Sequence, residues 1–254
     1  MDARKLEGKI AIITGAGMGI GRSVALAFAE AGANTVIVSR TQVDIDKVVK
    51  EATNFRTISL GIRADVAVEE QVEMVVKRTI ETFGSINILF NNAVAHGPTG
   101  FLTEITVKDW DETMSVNLRG LFLCSKAVLP YMIKQTTGNI INMSSGAGRR
   151  TKEQAFASHT RSLPYSVTKF GVEGFTLALA EQVNRYNINV NALRPGPSDT
   201  RAHAHASPEK KATLRKPDDI KKIAVYLASQ GPMGLTGESL DAATWDKIYI
   251  NRDI

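Results

Sequence analysis

Short apolar runs alternate along the chain with segments in which apolar residues recur at helical spacing. After residue 15, for example, one apolar stripe is formed by Ile20, Val24, Ala27, Phe28 and Ala31, and this spacing predicts an amphipathic helix. The apolar runs predict strands at residues 9–15, 34–39, 56–62, 86–93, 139–145 and 188–196. Further helices are predicted at 43–52 and 68–83, and longer ones at 110–133 and 165–184.

Strands that are apolar on both faces and separated by helices indicate a parallel sheet covered on both sides. The predicted fold class is therefore α/β, with a single doubly wound, Rossmann-type parallel sheet. No Pro-, Gly- or Ser-rich linker and no internal repeat divides the sequence, so residues 1–254 are expected to form one domain. Because ligands bind beyond the carboxyl ends of the strands in such sheets, the residues that follow each strand are the most informative about function.

The composition is typical of a globular protein in a reducing compartment. Hydrophobic residues make up 43% of the chain, and its lone cysteine, Cys124, cannot form an intramolecular disulfide. The first residues lack the apolar core of a signal peptide, and no apolar stretch approaches the roughly 18 residues that cross a bilayer. We therefore expect a cytoplasmic protein with no membrane partner.

The charge balance is mildly basic. The net charge is +5, from 31 basic and 26 acidic residues, with a pI near 9.3, which is compatible with nucleic acid or an anionic ligand. However, the basic residues are scattered, aromatic residues make up only 6% of the chain, and no tract interleaves the two kinds. The sequence therefore predicts a solvated surface and no nucleic-acid partner.

A glycine-rich segment, TGAGMGIGR, follows the first predicted strand. It places Gly15, Gly17, Gly19 and Gly21 just before or within the start of the predicted helix. Glycines let the backbone approach a pyrophosphate closely, and a helix N-terminus offers unpaired N–H groups to its charge. A glycine cluster alone is often only a tight turn, but between a strand and a helix it indicates a dinucleotide-binding loop.

The second predicted strand ends at Ser39, and Arg40 follows it. An NAD site commonly has an acidic residue here, which holds the ribose 2′-hydroxyl and would repel a 2′-phosphate. A guanidinium instead binds a phosphate through charge-assisted hydrogen bonds. The alternative is an ordinary arginine at a strand end. With the glycine loop upstream, Ser39 and Arg40 favour NADP as the cofactor.

Tyr165 and Lys169 are four residues apart in LPYSVTKFGVEGFT and lie on one face of a predicted helix. Such a pair is either a surface contact without a function or a phenol whose acidity the ammonium changes. A free tyrosine has a pKa of about 10 and does not readily lose its proton at neutral pH. The choice between these explanations depends on whether the chain binds something on which the phenol acts.

Several motifs, in one order and over nearly the whole chain, resemble those of the short-chain dehydrogenase/reductase family. The matching segments are TGAGMGIG, Asp65-Val66, NNAV from Asn91 to Val94, Asn117, Ser145, Tyr165 with Lys169, Pro195-Gly196 and Thr200. The resemblance implies a cofactor-binding set made of Gly15, Gly19, Ile20, Gly21, Ser39, Arg40, Asp65, Val66, Asn91, Tyr165, Lys169, Pro195, Gly196 and Thr200. The sequence departs from the family at Val94, commonly a glycine, and at Met18, which is basic in many NADP-preferring members.

The resemblance also implies an activity, the NADP(H)-dependent interconversion of a ketone and a secondary alcohol by hydride transfer. Tyr165 would protonate the carbonyl oxygen in reduction or deprotonate the alcohol in oxidation. Lys169 would favour the phenolate and hold the nicotinamide ribose. Ser145 would form a hydrogen bond with the substrate oxygen, and Asn117 would support a water linked to the lysine. No metal is implied.

Alternatives to a general carbonyl reductase stay open at this point. A 3-oxoacyl thioester reductase and a sugar or polyol dehydrogenase belong to the same class of enzyme. A non-catalytic NADP-binding sensor belongs to another class, although such a sensor has no need of Ser145, Tyr165 and Lys169 together. The resemblance further implies a homotetramer or homodimer, formed through the helices that hold Asn117 and Tyr165.

The segment between Ser145 and Tyr165 is longer than is usual in the family, since the two residues are 20 positions apart. It carries Arg149, Arg150, Lys152 and Arg161. A basic rim beside the cleft would attract an anionic substrate. The alternative is an exposed loop that its charges keep soluble.

Overall fold

The computed structural model of the chain describes residues 4–153, 162–199 and 207–249. Within these residues, seven strands form one sheet in the order β3-β2-β1-β4-β5-β6-β7, and all neighbours are parallel. The strands are β1 (Ile10–Thr14), β2 (Asn34–Ser39), β3 (Ser59–Arg63), β4 (Ile88–Asn91), β5 (Gly138–Met143), β6 (Ile188–Arg194) and β7 (Ser239–Asp241). The predicted doubly wound α/β sheet is confirmed. That the whole chain forms one domain stays a prediction.

Helices cover both faces of this sheet. In the part of the chain that the structure describes, they are α1 (Gly19–Glu30), α2 (Gln42–Ala52), α3 (Glu69–Phe83), α4 (Val107–Met114), α5 (Gly120–Gln135), α6 (Leu163–Val183), α7 (Pro208–Ala212), α8 (Lys221–Ala228) and α9 (Trp245–Tyr249). A π-helical turn, Ser115–Arg119, joins α4 to α5. The predicted helix at 110–133 is thus interrupted by a wider turn, a feature that is frequent at functional sites.

Each face of the sheet has its own hydrophobic core, because successive side chains of a strand point to opposite faces. In β1, Ile13 is buried in the same core as Phe28 of α1, whereas Ile12 is buried in the core that contains Val72 of α3 and Leu123 of α5. Both faces are apolar, and this is why the strands stand out in the sequence as continuous apolar runs. The two cores make the sheet a firm support for the loops at its carboxyl edge.

The other strand ends shift by no more than two residues, and two parts of the sheet differ more from the sequence expectation. β3 begins at Ser59 and not at residue 56, because Arg56 adopts a left-handed conformation (φ 58°) after the 3-10 turn Thr53–Phe55. The strand β7 was not predicted. It has three residues, of which only Leu240 is buried, so its hydrophobic pattern is too short to recognise in the sequence.

The strand order reverses between β1 and β4, the two central strands. From β1 the sheet continues outward to β2 and β3, and from β4 it continues outward to β5, β6 and β7. Connections that run in opposite directions from adjacent strands leave a crevice beyond their carboxyl ends. The segments that follow β1, β2, β4 and β5 border this crevice and carry most of the predicted site residues.

Candidate active site

The loop between β1 and α1 forms the phosphate side of the crevice. Gly15 has φ +62° and Gly19 has φ +57°, a left-handed conformation that favours glycine. The N-cap residue of α1, Met18, makes no side-chain hydrogen bond to the first turn. The first N–H groups of α1 therefore have no side-chain cap from this residue, and an anion at the helix N-terminus would satisfy them.

Gly21, in the first turn of α1, lies in contact with both neighbouring loops. A Cβ atom at this position would overlap the Gly15 carbonyl oxygen and come within 2.5 Å of the Asn92 Nδ2 atom. Glycine is thus required here for close packing of the helix start and not for a special φ angle. The glycine loop fits a dinucleotide pyrophosphate. Its small residues let a phosphate approach the backbone, and the loop is held close to the sheet.

Asn92, which sequence reasoning noted only as part of NNAV, holds the glycine loop. Its Nδ2 atom donates to the carbonyl oxygens of Thr14 (2.9 Å) and Gly15 (3.1 Å). In return, Thr14 Oγ1 accepts hydrogen bonds from the backbone N–H groups of Asn92 (2.9 Å) and Ala93 (3.1 Å). These four bonds join the ends of β1 and β4 across the switch point. In the sequence, the only indication of this role is the pair of adjacent asparagines that follows a predicted strand.

Asn91, the first asparagine of that pair, points the other way. Its side chain is buried, and Nδ2 donates to Asn142 Oδ1 (3.0 Å) and to Ser125 Oγ (3.3 Å). Asn142 Nδ2 in turn donates to Thr176 Oγ1 at 3.0 Å. The Asn91 amide therefore links β4, β5, α5 and α6 inside the protein, and its Nδ2 atom donates to protein groups.

The adenosine side of the crevice contains Ser39, Arg40 and Asp65. A Cβ atom at Gly17 would lie 3.0 Å from Ser39 Oγ, so the end of β2 faces the glycine loop. The Arg40 side chain is 68% exposed, with Nη1 3.9 Å from Asp65 Oδ2. Asp65 Oδ1 accepts from the N–H of Ala67 at 3.0 Å, which orients its carboxylate. The structure thus brings the three predicted residues to one edge.

Two apolar members of the predicted set pack into the protein interior. Val66 is 8% exposed, and a Cβ atom at Gly120 would lie 2.7 Å from its Cγ2 atom, so Val66 packs against the start of α5. Ile20 is half-buried and packs against the core beneath α1. Val66 also lines a small cavity together with Asn117 and Lys169, whereas Ile20 contributes to the packing of α1 on the sheet.

Tyr165 and Lys169 lie in the first turns of α6, on the side that faces the carboxyl end of β5. Lys169 is 3% exposed, its Nζ atom lies 5.4 Å from the centre of the Tyr165 ring, and it donates to the Met143 carbonyl oxygen at 2.7 Å. Burial lowers the pKa of the Lys169 ammonium to about 8, and the charge of Glu173 acts in the opposite direction. The pair is therefore not a surface contact, since its cation is held inside the protein beside the phenol ring.

Ser145 and Asn117 lie on the two segments next to this pair. Ser145 caps the 3-10 turn Gly146–Arg149, with Oγ accepting from the Ala147 N–H at 3.2 Å. Asn117 lies in the π-helical turn and is 4% exposed. Its amide accepts from Ala95 N (2.7 Å) and donates to Ala95 O (2.8 Å) and Thr168 Oγ1 (3.0 Å). The Asn117 side chain thus fixes the loop after β4 against α6.

His96, on the loop after β4, lies beside the site although it belongs to none of the motifs in the sequence. Its ring stacks on the Tyr165 ring, with centroids 5.3 Å apart and planes at 28°. The Asn117 amide holds the neighbouring Ala95 and so determines where His96 lies. Val94, on the same loop, is not among the described residues with a positive φ angle, so its place needs no glycine.

The remaining predicted residues lie after β6 and in the long segment. Pro195 is buried, and Gly196 has φ +72° and lies close to the Arg215 side chain. Thr200 lies outside the described residues, as does Arg161. Of the proposed basic rim, Arg149 and Lys152 are exposed, whereas Arg150 donates to Ser166 Oγ of α6 at 3.0 Å. Arg150 thus connects the end of the turn Gly146–Arg149 to α6.

Other kinds of site find no support in the described part of the chain. No group of three or more His, Cys, Asp or Glu side chains is placed to hold a metal ion there, and no helix in it is long and apolar enough to span a bilayer. Cys124 is buried, and burial raises the pKa of its thiol to about 12. It is therefore neutral and is no nucleophile.

Comparison with known proteins assigns the chain to the oxidoreductases that use nicotinamide cofactors. The family model of the short chain dehydrogenases matches residues 9–211. The (2S)-[(R)-hydroxy(phenyl)methyl]succinyl-CoA dehydrogenase subunit BbsD of Thauera aromatica is 36% identical over 248 residues, which cover 92% of this chain and 95% of that protein. A 3-oxoacyl-[acyl-carrier-protein] reductase of Thermotoga maritima is 32% identical over 246 residues, which cover 92% and 96%.

A solved structure agrees with these relatives. The crystal structure of levodione reductase superposes with a TM-score of 0.84 at 28% identity, over 92% of this chain and 96% of that chain. The chain belongs to the short-chain dehydrogenase/reductase family.

Proposed function

We propose that the protein is an NADP(H)-dependent oxidoreductase that interconverts a ketone and a secondary alcohol, with Tyr165 as the acid and base. The observation that carries this proposal is the Lys169 ammonium, which is buried 5.4 Å from the Tyr165 ring centre. A buried cation favours the phenolate form of a neighbouring tyrosine, and so it prepares this side chain for proton transfer near neutral pH.

Each polar side chain around Tyr165 has a distinct role in this mechanism. The nicotinamide nucleotide supplies or accepts the hydride when it is bound. The Tyr165 hydroxyl donates its proton to the carbonyl oxygen in reduction and removes the alcohol proton in oxidation. Ser145 Oγ accepts from Ala147 N–H, so its own O–H remains a donor for the substrate oxygen. His96, stacked on Tyr165, forms the wall of the substrate site next to the phenol.

The residues at the adenosine edge support NADP over NAD. The ion pair between Arg40 and Asp65 is long, at 3.9 Å, and its arginine is 68% exposed. Such exposed pairs contribute little free energy, about 0–1 kcal/mol. A 2′-phosphate, which carries more charge and accepts two parallel hydrogen bonds, would therefore displace Asp65 as the partner of Arg40.

Arg40→Asp is expected to abolish or reverse the preference for NADP(H). Losing a bidentate phosphate contact costs on the order of 2 kcal/mol, or tens-fold in affinity, and the new carboxylate repels the phosphate. The measurement is the dissociation constant of NADPH and of NADH by fluorescence titration. Arg78→Asp, at an exposed arginine of α3, makes the same change in charge and should leave the NADPH to NADH ratio unchanged. Equal affinity of the parent protein for both nucleotides would contradict the assignment.

The substrate class has a second candidate. Two of the relatives are named for thioesters, a succinyl-CoA derivative and an acyl-carrier-protein derivative, which supports a 3-oxoacyl thioester reductase. The deciding experiment is NADPH oxidation with a panel of simple ketones, diketones, 3-oxoacyl thioesters and sugars. Turnover of one class with kcat/KM well above the others identifies it. Tight NADPH binding without turnover of any class would favour the non-catalytic sensor.

The surface of α6 supports assembly into a homodimer or homotetramer. Val167, Phe170 and Leu177 fall on one face of this helix and are 42%, 50% and 62% exposed. Phe122 of the neighbouring α5 is 48% exposed. A helix face that is apolar and exposed in the single chain is well suited to a second copy related by a twofold axis, because the same face then meets itself.

Phe170→Asp with Leu177→Asp is therefore expected to yield monomers, since two charges on each chain would be buried in the interface. Light scattering at micromolar concentration measures the mass of the parent and of the variant, and circular dichroism checks that both are folded. Ile58→Asp places a charge at an apolar residue that is 62% exposed elsewhere and should leave the mass of the parent assembly unchanged. A monomeric parent would rule out this assembly.

A further inference from the structure

Glu173 lies one helical turn beyond Lys169 on α6 and is not part of the motif that identified the site. Its Oε1 atom accepts hydrogen bonds from two serines, Ser144 Oγ and, at 3.0 Å, Ser239 Oγ. Ser144 precedes Ser145 and follows Met143, whose carbonyl oxygen accepts from Lys169 Nζ. One carboxylate therefore connects α6 to the carboxyl end of β5 and to the start of β7.

The turn that carries Ser145 lies directly on this face of α6. A Cβ atom at Gly148 would overlap the carbonyl group of Lys169 and would lie 3.2 Å from Glu173 Cγ. Ser144 is 1% exposed, so its hydroxyl needs an acceptor inside the protein. Glu173 supplies this acceptor, and the hydrogen bond fixes the backbone from which the Ser145 side chain projects.

The charge of Glu173 also acts on Lys169. Burial lowers the pKa of Lys169 to about 8, and Glu173 is the group that raises it. Other titratable or charged side chains on the elements around Lys169 include Tyr165, the stacked His96, the neutral Cys124, Arg149, Arg150 with its contact to Ser166, the ion pair of Arg194 with Asp241 at 3.3 Å, Arg119 of the π-helical turn, Arg185, Glu181 of α6, and Lys108, Asp109, Asp111 and Glu112 of α4. Among the described residues, the charge that acts on the pKa of Lys169 is that of Glu173, which makes this carboxylate the counter-ion of the ammonium.

We propose that Glu173 is a positioning residue of the reaction, which holds the Ser145 segment against α6 and keeps Lys169 cationic beside Tyr165. The proposal rests on the proposed roles of Tyr165, Lys169 and Ser145. It assigns two separable contributions to one carboxylate. The hydrogen bonds depend on its oxygen atoms, and the electrostatic effect depends on its negative charge.

Glu173→Gln separates the two contributions, because an amide oxygen still accepts from the serines but carries no charge. A nearby anion raises the pKa of both members of the Tyr165–Lys169 pair, so its removal lowers the pH at which the pair loses its first proton, whichever residue loses it. The fall of kcat for ketone reduction at alkaline pH is therefore expected to move to lower pH by about one unit. Below that fall, the variant should keep most of the parent rate.

Two further variants test the hydrogen bonds without changing the charge. Ser144→Ala and Ser239→Ala should lower kcat at every pH but leave the alkaline fall where it is in the parent. Glu173→Ala should show both effects. Superimposable pH profiles for Glu173→Gln and the parent would overturn the electrostatic contribution, and an unchanged kcat in both serine variants would overturn the positioning contribution.

A second readout needs neither cofactor nor turnover. Because the folded state lowers the pKa of Lys169 below its ordinary value of 10.5, carrying the charge below about pH 8 costs stability. Glu173 offsets part of that cost, so Glu173→Gln should lower the melting temperature at about pH 7 and have little effect at about pH 9.5, where Lys169 is neutral in the folded protein. In a Lys169→Met background, this pH dependence should disappear.

The two readouts separate this proposal from the proposed function. If no substrate is turned over, the function fails, and the melting temperatures still test Glu173. If Tyr165→Phe is inactive while Glu173→Gln has the same melting difference at both pH values and in both backgrounds, the function stands and the electrostatic role of Glu173 is wrong.

Discussion

Tyr165→Phe is expected to lower kcat by a factor of roughly 10² to 10⁴ while leaving NADPH affinity almost unchanged. That factor is the usual contribution of a positioned general acid, about 3–5 kcal/mol of transition-state stabilisation. The ring, its stacking on His96 and the buried Lys169 beside it all remain in this variant, so only the transferable proton is lost. Single-turnover measurement of NADPH oxidation with saturating ketone reports the effect.

A matched control is available in the same chain. Tyr186 lies just beyond the end of α6, where Arg185 stacks on its ring at 4.9 Å, and Tyr186→Phe makes the same change of one oxygen atom. Its kcat should equal that of the parent. If Tyr165→Phe retained most of its turnover, another group would have to supply the proton, and the mechanism would be wrong.

Gly21→Ala is expected to weaken NADPH binding at least about tenfold, a loss of about 1.4 kcal/mol, and to destabilise the protein. The new methyl group would overlap the Gly15 carbonyl and press on the Asn92 amide at 2.5 Å, so the glycine loop and the loop after β4 must separate. Inserting a methyl group into such a contact typically costs about 1–3 kcal/mol of unfolding free energy. Fluorescence titration of NADPH and urea denaturation measure the two effects.

Gly231→Ala is the control for this substitution. A Cβ atom at Gly231 would meet no atom within 4 Å. The added methyl group should therefore change the unfolding free energy by no more than about 1 kcal/mol, because its main effect is to reduce the conformational entropy of the unfolded chain. NADPH affinity should be that of the parent. Equal behaviour of the two alanine variants would show that the close approach at Gly21 is unimportant for the cofactor site.

The sequence alone determined the class of fold and the order of its parts. Runs such as residues 34–39 are apolar on both faces because both faces of the sheet are covered. This pattern is local, so it can be recognised in the sequence without the tertiary structure. The glycine loop, Arg40 and the Tyr165–Lys169 pair were likewise visible, because each depends on residues that are close in sequence or that directly follow a strand.

Only the tertiary structure decided which side chains support these residues. Asn92 reaches back 78 positions to Thr14, and Glu173 meets Ser239 across 66 positions, because parallel strands bring distant segments together at one edge. The opposite directions of Asn91 and Asn92 follow from the alternation of side chains at a strand end, which a motif of adjacent letters does not record. His96 faces Tyr165 because the buried Asn117 amide, from a third segment, holds the adjacent Ala95.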